Sequence, residues 1–139
     1  AFYDYATRSG LNSFEETYVT LAPFPEIVPG FSWTRTFREP DKYREHYDLT
    51  LRRQREMREV FFAPVDFSRA KRVLDFGCGF ATDVITLAKK HPHLEAVGYT
   101  VSPEQAKAGQ SRVREQRLDG RVTVYNRDSG RDEFPGPFD

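Results

Sequence analysis

The sequence predicts an α/β fold with a parallel sheet, and three observations carry that prediction. Short apolar runs and longer amphipathic runs alternate from residue 71 onward. The first apolar run hands over to the next segment through Gly77-Cys78-Gly79 rather than through a hairpin signal. Strands separated by helices of this length pair side by side in parallel, with the helices as crossovers. The third observation is a change of period near Pro40, which sets an aromatic-rich amino-terminal part against a helical one.

Residues 1–40 carry nine aromatics: Phe2, Tyr3, Tyr5, Phe14, Tyr18, Phe24, Phe31, Trp33 and Phe37. Pro23, Pro25 and Pro29 fix φ and remove donors in the middle of this stretch, which excludes long regular elements there. Such a stretch makes no core of its own and is expected to lie on other parts of the chain. Glu39-Pro40-Asp41 has the composition of a helix start, where a missing N–H is harmless and the dipole favours acids. Tyr43, Tyr47, Thr50, Leu51, Gln54, Met57 and Phe61 follow at helical spacing and predict one buried face. Arg52, Arg53, Arg55, Glu56 and Glu59 fall on the other, solvated face, and Pro64 ends the helix.

Residues 71–76 form the first predicted strand, stopped by the glycines. Residues 82–90 form a helix with Lys89 and Lys90 in its last turn, closed by His91-Pro92. Residues 94–101 are the second strand. Ser102-Pro103-Glu104-Gln105 supplies an N-cap, a proline at the first helical position and a polar first turn, opening a helix to about Leu118. Asp119-Gly120 turns the chain into a third strand at residues 121–126.

Composition bounds the function. The 139 residues balance 21 basic against 21 acidic side chains, so no global positive field gathers phosphates and no nucleic-acid partner is expected. No apolar run approaches the roughly 20 residues of a membrane helix, and no membrane partner is expected either. The single Cys78 can neither close an internal disulfide nor build a zinc cage, which fits a reducing, cytoplasmic compartment. His91 and His93 flank a proline and suggest no metal site, and His46 falls on the apolar face as a packed histidine.

The informative segment is VLDFGCGFA, residues 73–81. With nine glycines in the chain, a G-x-G pair by itself is about what chance gives, so position carries the weight. Here the pair sits at the carboxyl end of the first strand, where open α/β sheets bind ligands. Glycines let backbone approach a ligand, and the helix N-terminus behind them favours its negative end. A dinucleotide fingerprint would place glycine at position 82, where Thr82 stands. The acid at Asp75 instead suits a ligand carrying both an ammonium and a carboxylate. A tight strand-to-helix turn without a ligand would show the same glycines.

This segment resembles the first motif of the class I S-adenosylmethionine-dependent methyltransferases, a Rossmann-like core, with Ala81 where the family has its last glycine. The resemblance covers residues 71–139. It implies that Asp75 and the backbone of Gly77 and Cys78 hold the methionine end of S-adenosyl-L-methionine, and that Gly79 passes under the adenosyl moiety. The second strand ends in the run Gly98-Tyr99-Thr100-Val101-Ser102-Pro103-Glu104-Gln105, with Thr100 in the place of the family's usual acid. This G-x-T-x-S-x-x-Q run is similar to the small-molecule and lipid-modifying branch, where Thr100 and Gln105, flanked by Val101, would share the ribose. After the third strand, Asp128 and Ser129 would meet the adenine; as residues alone, they equally read as turn chemistry.

Residues 14–37 resemble the lid of O-methyltransferase domains in modular polyketide synthases. The expected organisation is therefore a lid and helical segment over residues 1–66, then the first half of the core, with strands 1–3, over 67–139. The resemblance implies methyl transfer to a hydroxyl of a polyketide tethered to an acyl carrier protein, S-adenosyl-L-homocysteine as product, and neighbouring synthase domains as partners. Its base, a histidine after the fourth strand, is expected beyond Asp139, so no catalytic residue is assigned and the chain alone is expected to be inactive. Without that strand, the first would present an unpaired apolar edge, inviting self-association or cover by the aromatic segment. Carbon methylation, a non-catalytic cofactor-binding fragment and a nicotinamide-dependent reductase remain the alternatives.

Overall fold

The computed structural model describes residues 2–8 and 21–139, and the lid residues Phe14 and Tyr18 lie outside them. The described chain forms two compact units, one holding residues 21–65 and the other combining the first helix with Asp66–Asp139. Its elements are α1 (Phe2–Arg8), α2 (Trp33–Arg38), α3 (Arg44–Phe62), β1 (Arg72–Phe76), α4 (Thr82–Lys90), β2 (Glu95–Thr100), α5 (Pro103–Glu115) and β3 (Val122–Asn126).

In the unit of residues 21–65 the aromatics pack on one another. Phe24 and Phe31 meet edge-on at 4.7 Å, Phe31 and Trp33 at 4.9 Å, and Trp33 stacks on Phe37 at 5.5 Å. Phe37 then packs against the buried Tyr47 and Leu51 of α3. The helix face expected from spacing is buried at Tyr47, Thr50, Leu51 and Gln54. Two expectations need correction. The helix starts at Arg44 rather than beside Pro40: Glu39 closes α2, its N–H bonded to the Arg35 carbonyl, and residues 40–43 form a turn in which the Tyr43 N–H bonds the Glu39 carbonyl. Phe61 is exposed, since the last turn of α3 borders an open groove of about 390 Å³ with Pro23, Pro25 and Met57. His46 is packed between the rings of Phe31 and Tyr43.

The other unit is built on the three predicted strands, all parallel in the order β1-β2-β3. Alternation along each strand splits the sheet into two faces. Ala96, Val122 and Val124 point into the core shared with Val84, Ile85 and Ala88 of α4 and Ala106 and Val113 of α5. Opposite, Tyr99 packs with Tyr125 and with Phe134 from the segment after β3, each at 5.9 Å, and its hydroxyl donates to the Glu133 carbonyl. Arg121, read as the first residue of the third strand, instead lies just before it and donates to the carbonyls of Ala88 and His91 at the end of α4 and of Leu94 before β2. The outer edge of β1 is capped at its start by Asp139. Its N–H donates to the Arg72 carbonyl and its carboxylate accepts from the Lys71 and Arg72 amides, so Asp139 covers this stretch of the edge.

Candidate functional site

The site residues predicted from sequence lie at or just beyond the carboxyl ends of the three strands. Asp75 is the penultimate residue of β1, half-buried, and pairs in register with Gly98. The turn that follows is left-handed at three alternate residues: Gly77 (φ 80°), Gly79 (φ 53°) and Ala81 (φ 64°). Glycine adopts this conformation freely, but an alanine there costs about 1–2 kcal/mol. Ala81 tolerates it inside a fully buried site at the start of α4. The turn is tied from two sides. The Gly77 and Cys78 amides both donate to the Tyr99 carbonyl, at 2.8 and 2.9 Å, and Arg112 of α5 reaches back to the Phe80 carbonyl and the Thr82 hydroxyl.

Gly98 explains how β2 comes so close to this turn. A Cβ there would stand 2.6 Å from the Cys78 sulfur and 2.9 Å from its Cβ. Gly109 on α5 plays the same part: its Cβ would press Ala81 at 3.2 Å and Val124 at 3.4 Å. Burial, with the negative charge of Asp75 adding to it, pushes the Cys78 thiol up to about 12. A thiol held protonated is no nucleophile, and Cys78 serves as packing and backbone.

At the end of β2 the structure brings Thr100 and Gln105 together. The Thr100 hydroxyl donates to Gln105 Oε1 at 2.9 Å, and both side chains are buried. Ser102 caps α5, its hydroxyl accepting the Gln105 amide at 3.3 Å, which fixes where that side chain starts. Gln105 Nε2 has no partner. A buried amide donor left unpaired costs about 1–3 kcal/mol, so it marks a place where an acceptor is missing. Val101, between the two, is exposed.

The third strand contributes less directly. Asn126 and the Arg127 amide both bond the Thr100 carbonyl, joining the segment after β3 to the end of β2. Asp128 is half-buried, but its carboxylate is engaged locally: Oδ1 accepts from the Gly130 amide at 2.9 Å, and Oδ2 lies 3.5 Å from Arg131. Turn chemistry is thus present, and one lone pair on each oxygen stays available. Ser129 is exposed. Among the described residues no group of His, Cys, Asp and Glu could hold a metal ion, and no helix is long and apolar enough to cross a membrane. Sequence reasoning missed Asp4, whose carboxylate accepts the Ser102 hydroxyl at 2.6 Å; no local signal links residues 98 apart.

A parallel sheet with an acid and a left-handed glycine turn after its first strand, and a polar pair closing its second, is the class I methyltransferase core. Residues 73–139 match the methyltransferase domain family. The whole chain is 48% identical to part of the polyketide synthase ThaQ of Burkholderia thailandensis, spanning 7% of that protein. Among solved structures it is similar to the StiE O-MT (TM-score 0.86, 44% identity, 90% of this chain and 45% of that one). It is also similar to the O-methyltransferase from the trans-AT PKS multienzyme of Brevibacillus brevis, solved with S-adenosyl-L-homocysteine (TM-score 0.84, 41% identity, 88% of this chain and 41% of that one). The chain therefore spans less than half the length of these solved relatives.

The residues present fit such a cofactor. The unpaired Gln105 amide offers a vicinal diol a donor, and the Thr100 hydroxyl, its proton given to Gln105 Oε1 and one lone pair to the Ser102 amide, keeps one lone pair as an acceptor. The open space over Gly77, where a Cβ would meet nothing within 4 Å, leaves room beside Asp75 for a ligand's amino-acid end.

Proposed function

We propose that this chain carries the cofactor-binding part of an O-methyltransferase domain in a polyketide synthase, with a hydroxyl of a polyketide bound to an acyl carrier protein as acceptor. The cofactor is S-adenosyl-L-methionine, which supplies an electrophilic methyl group on a positively charged sulfur. The chain's own residues bind and orient it. Asp75 faces the ammonium and the Gly77-Cys78-Gly79 turn lets backbone close on the methionine and adenosyl parts. Thr100, Val101 and Gln105 take the ribose, and Asp128 with Ser129 takes the adenine. Catalysis then rests on proximity and alignment of the acceptor oxygen with the methyl carbon, together with removal of the hydroxyl proton.

The observation that carries this reading is the buried Thr100–Gln105 pair with its unpartnered amide beside the glycine turn. The test is calorimetric titration with S-adenosyl-L-homocysteine. Binding by the unaltered protein that weakens at least tenfold in Gln105→Leu, while NADPH fails to compete, supports the assignment. Equal affinity in the variant would detach Gln105 from the cofactor. Methyl transfer to a carrier-bound β-hydroxyacyl chain by the parent synthase domain, followed by NMR of the product, distinguishes an O-methyl from a C-methyl group.

A further inference from the structure

Two contacts fasten α1 to the first turn of α5. Asp4 Oδ1 accepts the Ser102 hydroxyl at 2.6 Å, across 98 residues of sequence. One turn further along α1, Arg8 donates to Glu104 Oε1 from Nε at 3.2 Å and from a terminal nitrogen at 2.8 Å. Ser102 and Glu104 flank the start of the helix whose third residue is Gln105. Gln105 is 4% exposed and its Nε2 has no partner, so this turn is aimed at something.

We propose that α1 is a latch on the ribose-binding end of α5, in which Asp4 acts through Ser102 to hold Gln105 in register with Thr100. The proposal rests on the cofactor reading of Gln105 given above. A serine hydroxyl has one proton and two lone pairs. Because Asp4 takes the proton, the lone pairs of Ser102 are left for the Gln105 amide, and a hydroxyl polarised by a carboxylate is the better acceptor. Without Asp4 the hydroxyl rotates freely and the cap loosens. Gln105 then reaches water in the free protein, and the site loses its preorganisation. Asp4 is a positioning residue: in this arrangement it touches Ser102, not the cofactor. Arg8–Glu104 is an exposed pair and adds direction more than strength.

The experiment combines S-adenosyl-L-homocysteine titration with hydrogen exchange of the ligand-free protein. Asp4→Ala is expected to weaken binding three- to tenfold and to speed exchange at the Gln105 and Ala106 amides, with the β1–β3 amides unchanged. Asp4→Asn, which keeps an acceptor for the Ser102 hydroxyl, is expected to stay within about twofold of the unaltered protein. Arg8→Gln is expected to loosen the same turn more weakly and so tests the latch without touching Asp4. Unchanged affinity and unchanged exchange in Asp4→Ala would overturn the latch, as would an Asp4→Asn variant as weak as Asp4→Ala. Failure of the unaltered protein to bind would instead sink the cofactor reading, and this proposal with it.

Discussion

Cys78 lies against Gly98 with no room for a methyl group between the strand and the turn. Gly98→Ala is expected to destabilise the protein by about 1–3 kcal/mol, the usual cost of overpacking. Cys78→Ala in the same chain should return part of it by removing the sulfur but not the Cβ; urea unfolding checks both. The thiol itself should resist alkylation. With its titration moved up to about 12, iodoacetamide at pH 8 should label the folded protein far more slowly than the urea-unfolded one. Comparable rates would show the turn opening readily. Asp128 divides its carboxylate between a local turn and the proposed adenine contact. Asp128→Ala is expected to weaken S-adenosyl-L-homocysteine binding by about 1–3 kcal/mol. Calorimetry showing no change would remove it from the site.

At the scale of elements, helix ends show how far local rules reach. The start of α5 follows them, with Ser102 as N-cap and Pro103 at the first helical position. The end of α4 does not: Arg121, from just before β3, bonds the Ala88 carbonyl and those of His91 and Leu94 in the loop that follows. Arg121→Ala is expected to cost about 1–2 kcal/mol in urea unfolding, since it strips a charged donor from three carbonyls. All three carbonyls face one guanidinium nitrogen, so Arg121→Lys, with three donors on one ammonium, should recover part of the loss. A neutral Arg121→Ala would assign the end of α4 to other partners. Nothing in residues 82–90 announces this cap, because it arrives through the sheet. The start of α3 is the mirror case: Glu39-Pro40-Asp41 looks like an N-terminus locally, but Glu39 is already spent closing α2.

Across the whole chain, two carboxylates tie distant segments together and set its behaviour in acid. The Ser102 hydroxyl holds Asp4 below the ordinary carboxylate range, and the Arg72 and Lys71 amides do the same for Asp139. A carboxylate with a lowered folded pKa binds fewer protons folded than unfolded, so its contribution is full above the unfolded value of about 4. That contribution disappears as the pH falls through the lower folded value. Thermal melts should therefore show no pH dependence from these two groups between pH 6 and 8, where their contribution is full, and a loss of stability below about 4 that shrinks in an Asp4→Asn, Asp139→Asn double variant. An unchanged acid limb in that variant would move the effect to other groups.

The sequence by itself determined the parallel α/β sheet, the position of the turn at Gly77-Cys78-Gly79, and the N-cap at Ser102; the pairing of Thr100 with Gln105 came from the resemblance of that run to a methyltransferase branch. Those features depend on neighbours within a few residues: apolar alternation, glycine at left-handed φ, and a cap next to its helix. Only the tertiary structure decided that the Gln105 amide is left without an acceptor, that Asp139 caps the edge of β1, and that Asp4 holds Ser102. Each is a hydrogen bond, made or missing, whose setting comes from residues far apart in the chain. Burial and geometry choose such partners after the chain has folded, and no periodicity records the choice.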